Sequence, residues 1–289
     1  REQGFTSTTA TPLYWAAHGV KGAPRLLVLH GGPGADHCYL LPQMLHLGEK
    51  YDLLFYDQRG GGKSKSDARI PVTWQTHVED LAGVVKELGL DPLSIVGYSW
   101  GAMLGLLYAI QQSKNPQLQA LYRIALINPA PLTLEYRRQF EAEFARRQAS
   151  PEIQRLRNEL ASSGLRERDP AAYRQRAFEL GVAGYFSDPN KARDLTPFRV
   201  VGRVQQSVWE SLGDFDLIRD LKGIKTPSII VHGRDDPIPL ASSSEASRAL
   251  ETSLVVLDAC GHVPYVEQPS RLFAALDPFL DETNPPVRS

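Results

Sequence analysis

The sequence predicts an α/β fold, a mostly parallel sheet flanked by helices with a helical cap inserted into it. Three observations carry that expectation. Short apolar runs alternate with helical stretches at both ends of the chain. Residues with chemical potential stand directly after four of those runs. Between the two alternating regions, about eighty residues lose the strand pattern and turn to Arg, Glu, Gln and Ala.

The strand candidates are Thr11 to Ala16, Leu26 to His30, Leu53 to Tyr56, Leu93 to Gly97, Arg123 to Ile127, Ser228 to Val231 and Leu254 to Leu257. Thr76 to Leu90 carries Val78, Leu81, Val85 and Leu88 at helical spacing, and Met103 to Ile110 and Ser270 to Leu280 also read as helices. In the middle segment Phe140, Phe144, Ile153, Leu156, Leu160, Tyr173, Phe178, Tyr185 and Phe186 recur at helix-like intervals. A stretch of that length is too long for a structureless loop, so a structured lid is expected. The organisation is therefore a core over 1–132, a helical cap over 133–212 and the rest of the core over 213–289, with a frayed polar tail from Asp281.

Composition excludes several classes. A net charge of -1 over 289 residues argues against nucleic acid or an anionic membrane as partner. No stretch approaches the ~18 unbroken apolar residues of a membrane span. Two cysteines, Cys38 and Cys260, are too few for a disulfide scaffold and read as small buried hydrophobes rather than a bridge. No His or Cys pair has metal-ligand spacing, and Gly60-Gly61-Gly62-Lys63-Ser64 fails the phosphate-loop spacing, so neither metal nor cofactor is expected. The chain starts at Arg1 without methionine, and its compartment, cytoplasmic or secreted after leader removal, stays open.

Gly97-Tyr98-Ser99-Trp100-Gly101 lies between a strand and a helix, the Gly-x-Ser-x-Gly pattern of a nucleophile elbow. Ser99 would be the nucleophile and His262, in Gly261-His262, its base. The orienting acid comes from Gly233-Arg234-Asp235-Asp236-Pro237, with Asp236 preferred because Pro237 biases it toward extended backbone. Asp235 then points to solvent or pairs with Arg234. His30 and His232, at strand ends, are expected to brace loops. The order Ser, Asp, His is that of the α/β-hydrolases.

Together with that elbow, His30-Gly31-Gly32-Pro33-Gly34, Tyr56-Asp57-Gln58-Arg59-Gly60-Gly61-Gly62-Lys63-Ser64 and Gly261-His262 resemble the proline iminopeptidase branch of the α/β-hydrolases over nearly the whole chain. The resemblance implies an α/β-hydrolase fold and a serine hydrolase, and it marks Asp236 by its offset of three residues from Gly233. It also makes Gly32 the oxyanion donor beside Trp100, since Pro33 has no N–H. The Asp57 to Ser64 turn is expected only to pack beside the oxyanion loop.

The resemblance further implies release of an N-terminal proline, which requires an anion for the substrate ammonium; Gln205-Gln206 stands where the family leads one to expect an acid, leaving Glu210 or Asp214. The arginine and glutamate residues of the cap read as a solvated helix face with local ion pairs. Tyr185, Phe186 and Trp209 either pack cap on core or line an apolar pocket. A small carboxylic ester is the first expectation for the substrate, a short peptide with N-terminal proline the second. A non-catalytic ligand-binding protein on the same fold is the remote third.

Overall fold

The computed structural model describes residues 2–281, so the expected fraying from Asp281 falls almost wholly outside the described residues. Its strands are β1 (Gln3–Phe5), β2 (Tyr14–Gly19), β3 (Arg25–Leu29), β4 (Asp52–Tyr56), β5 (Leu93–Tyr98), β6 (Leu121–Ile127), β7 (Ser228–Gly233) and β8 (Ser253–Leu257). They form one sheet in the order β1-β2-β4-β3-β5-β6-β7-β8. β2 pairs antiparallel with both β1 and β4, and every other pairing is parallel.

The parallel strands are near-continuous apolar runs because helices cover both of their faces. In β3, Leu27 and Leu29 point to one side with Leu54, Ile95 and the helix Trp100–Lys114. Leu26 and Val28 point to the other, with Leu53, Phe55, Val96 and the helix Pro269–Asp281. The two strands at the antiparallel end of the sheet were the poorly legible ones. β1 is three residues without apolar alternation, and β2 begins three residues later than expected.

Between β6 and β7 the described chain is helical: Leu134–Gln148, Pro151–Ser162, Leu165–Arg168, Pro170–Val182, Gly202–Leu212 and Leu217–Leu221, with short 3-10 turns. Local sequence sets the starts of these helices. Thr133 caps the first by accepting from the Tyr136 N–H, Ser150 and Asp169 cap the next long ones, and Pro151 and Pro170 fill first-turn positions whose N–H has no helical acceptor. The segment leaves and re-enters the core at one point. There Leu134 N–H donates to Phe215 C=O at 2.9 Å, and Leu217 N–H donates to Leu132 C=O at 2.9 Å. Its last long helix lies on the core, burying Val204 and Val208.

Cys38 and Cys260 are both free thiols; Cys260 is buried, but Cys38 is exposed, contrary to expectation. No helix among the described residues is long and apolar enough to cross a membrane.

Candidate active site

β5 ends at Tyr98 and the next helix starts at Trp100, so the chain reverses within Ser99, held at φ 53° and ψ -117°. The two flanking glycines have steric reasons. A Cβ on Gly97 would stand 2.6 Å from Ala102 Cα, and one on Gly101 would stand 2.2 Å from the Leu29 carbonyl oxygen. Ser99 occupies the N-cap position, where serine usually accepts from its own helix, but it makes no such bond. Its Oγ instead lies 3.0 Å from His262 Nε2.

His262 follows β8 and Asp236 follows β7. These two loops meet backbone to backbone, because Gly233 has no side chain: a Cβ there would lie 2.0 Å from the Gly261 carbonyl oxygen. His262 Nδ1 donates to Asp236 Oδ2 at 2.8 Å, and Nε2 faces the serine hydroxyl. Asn128 Nδ2 donates to the same Oδ2 at 2.7 Å, and the Ile238 N–H donates to Oδ1 at 2.8 Å. Burial opposes the Asp236 charge, yet His262 and the Asn128 amide hold its carboxyl below the usual range. The His262 backbone is held on both sides: Tyr98 OH donates to the His262 carbonyl at 2.9 Å, and the His262 main-chain N–H donates to the Tyr185 carbonyl at 2.7 Å.

Asp235 departs from expectation. Arg234 pairs with Asp258, and Asp235 Oδ2 accepts from Ser187 Oγ at 2.7 Å. His30 and His232 brace loops as expected. His30 joins Gly31 and Gln58, His232 joins Ser243 and Ile238, and burial lowers the pKa of both.

Gly32, at φ 131°, lines the cavity in front of Ser99. The preceding Gly31 N–H is consumed by Tyr39 Oη at 2.7 Å. Trp100 opens its helix, so its N–H has no acceptor within that helix. Gly32 thus shares the cavity with Ser99, and Trp100 follows Ser99 at the start of the helix.

The cavity measures about 280 Å3. Ser99, Gly32 and His262 form its floor, and Phe140, Phe144, Tyr185 and Trp209 form apolar walls. Arg137 and Glu141 also line it, paired at 2.8 Å, with the Arg137 guanidinium over the Trp209 ring at 4.4 Å. Residues 137, 140, 141 and 144 share one face of the helix Leu134–Gln148, so the face read as solvated ion pairs covers the cavity. Tyr185 and Trp209 do line the cavity. Phe186 does not: it is 3% exposed and packs in the core with Val182 and Leu195. Glu210 is exposed, accepts from Gln206 Nε2 at 2.7 Å and is absent from the lining, as is the exposed Asp214. Sequence reasoning missed Asn128, Tyr39, Tyr98, Arg137 and Glu141. Only the i, i+3, i+4, i+7 spacing from Arg137 to Phe144 offered a signal.

The profile of the Alpha/beta hydrolase family matches residues 26–276. The chain belongs to that family. This hydrolase is 27% identical over 275 residues to the proline iminopeptidase of Heyndrickxia coagulans, covering 90% of this chain and 91% of the relative. It is 26% identical over 265 residues to that of Lactobacillus delbrueckii subsp. lactis, covering 88% and 89%. A proline iminopeptidase-related protein of Thermus thermophilus shares the fold with a TM-score of 0.73 at 21% identity, over 96% of both chains. Naproxen esterase from Bacillus subtilis shares it with a TM-score of 0.66 at 18% identity, over 97% of this chain and 91% of the esterase. The protein is thus an α/β-hydrolase enzyme with proline iminopeptidase-like relatives, as its motifs implied. At such identities the solved structures establish the fold, and one fold serves different substrates.

Proposed function

We propose that this enzyme is a serine hydrolase that cleaves small carboxylic esters through a Ser99–His262–Asp236 triad. The observation that carries the reading is the character of the cavity above Ser99. Its lining sets Phe140, Phe144, Tyr185 and Trp209 beside Arg137 and Gln205, and the one carboxylate among its described lining residues, Glu141, is already paired with Arg137. An apolar acyl group fits such a cavity, whereas an N-terminal ammonium would need an uncommitted anion.

In the mechanism, His262 Nε2 takes the Ser99 hydroxyl proton as Oγ attacks the ester carbonyl. The developing oxyanion is met by the N–H groups of Gly32 and Trp100, each donor worth on the order of 3 kcal/mol in the transition state. His262 returns the proton to the departing alcohol, leaving an acyl group on Ser99. Water, activated by the same imidazole, then releases the acid. Asp236 stays ionised throughout and keeps the ring in the tautomer with its proton on Nδ1. The helical segment over 133–212 acts as a cap in this reading, since Phe140, Phe144, Tyr185 and Trp209 all come from it.

A second reading, release of N-terminal proline, is favoured by the names of the relatives and by Glu141, should substrate draw it away from Arg137. A side-by-side assay separates the two. The ester reading expects good turnover of a short-chain aryl ester and little of prolyl anilide. Strong turnover of the anilide, lost when its proline nitrogen is acylated, supports the peptidase. A wild type that neither turns over these substrates nor reacts with a serine-directed phosphonate would overturn the reading of Ser99 as nucleophile.

A further inference from the structure

The Asp57–Ser64 turn has more to do than pack beside its neighbour, and Gln58 is the reason. This side chain is 1% exposed, and both ends of its amide are used. Its Oε1 accepts from the Trp100 indole N–H at 2.8 Å, and its Nε2 donates to the His30 carbonyl at 2.9 Å. Its backbone N–H donates to His30 Nε2 at 3.1 Å. Because that ring nitrogen accepts, His30 carries its proton on Nδ1 and donates to the Gly31 carbonyl at 2.7 Å. Burial lowers the His30 pKa, which keeps the ring neutral and the arrangement intact.

One amide therefore joins the residue whose backbone N–H opens the elbow helix to the loop that carries Gly32. Its own position is firmly set. A Cβ on Gly61 would lie 2.0 Å from the Ala35 carbonyl oxygen, so this turn meets the His30–Ala35 loop backbone to backbone. Asp57 ties the same turn to the His37 N–H and ring, and Arg59 pairs with the buried Asp80.

We propose that Gln58 is a positioning residue that sets the separation and aim of the Gly32 and Trp100 N–H donors. The proposal rests on the reading of those two groups as the oxyanion hole. Donors of this kind act only where they are preorganised toward the position the oxyanion will take. A small displacement then weakens the transition state while leaving ground-state binding in the aromatic cavity intact.

Gln58→Met keeps the volume and removes both hydrogen bonds of the side-chain amide; Trp100→Phe removes the indole donor and leaves the backbone N–H in place. Each should lower kcat for a short-chain aryl ester about tenfold to hundredfold with KM nearly unchanged. Affinity for phenylboronic acid, which forms a tetrahedral adduct on the serine, should fall by a similar factor. The two losses should be less than additive in the double variant, since both remove the Trp100–Gln58 hydrogen bond. Where Gln58→Met does not fold, Trp100→Phe decides. Folded variants with unchanged kcat, or with KM raised and kcat intact, would overturn the proposal. Wild-type enzyme that binds phenylboronic acid no better than Ser99→Ala would instead overturn the underlying oxyanion and nucleophile reading.

Discussion

Replacing Glu267 with glutamine should remove a specific part of the pH dependence of stability. Glu267 is 4% exposed, at the end of the short helix Pro264–Glu267. Its Oε1 accepts from the Ser187 N–H at 2.7 Å and its Oε2 from the Gly261 N–H at 2.8 Å, so it links the loop of His262 to the helical segment. Burial pushes its pKa up to about 7 from an ordinary 4.5, against the pull of those N–H donors. A carboxyl whose folded pKa is raised binds its proton more tightly in the folded state. Its stabilising contribution is complete below about pH 4.5 and is lost as pH rises through about 7. The gap of about 2.5 pH units corresponds to roughly 3.5 kcal/mol at about 1.4 kcal/mol per unit. Glutamine does not titrate, and its NH2 must face one of the two N–H donors, a penalty of about 1–3 kcal/mol at every pH. Urea unfolding of both proteins at several values between about pH 5 and 8 isolates the effect, because all other titrations cancel in the difference. Relative to the glutamine variant, wild type should lose roughly 2.5 kcal/mol across that window. A difference that stays level would refute the reasoning, since Glu267 would then be ionised throughout.

Ser99→Ala should abolish turnover of a short-chain aryl ester and labelling by a serine-directed phosphonate, with the melting temperature close to wild type. Asp236→Asn should lower kcat by about 10⁴, because the imidazole loses the partner that fixes its tautomer and the new NH2 confronts either the Asn128 amide and His262 Nδ1 or the Ile238 N–H. Asp235→Asn keeps an acceptor for Ser187 and should stay within a few-fold of wild type; the reverse ranking in steady-state kinetics would exchange the roles of the two carboxylates. Gly101→Ala forces a methyl to 2.2 Å from the Leu29 carbonyl oxygen, with rigid backbone on both sides, and should cost about 3 kcal/mol or more in denaturant unfolding.

The sequence by itself determined the central sheet and the order of Ser99, Asp236 and His262 along it. Strands buried on both faces must be apolar, and turns where backbones nearly touch must be glycine, so Gly97, Gly101, Gly233 and Gly261 mark the strand ends that converge. Those are local demands, and a linear pattern records them. What lies over Ser99 was decided by tertiary structure alone. An Arg–Glu pair four residues apart reads the same on a solvated face as on a face over a cavity, so Arg137 and Glu141 stayed hidden while the exposed Glu210 looked the better anchor. Phe186 and Tyr185 are neighbours of the same aromatic type, yet the chain turns one into the core and the other beside His262. Asn128 is a single polar residue after a strand, and its task exists only because the loop bearing Asp236 folds over it. A side chain whose partner lies a hundred residues away leaves no period in the sequence. Its role exists only once docking brings the two together.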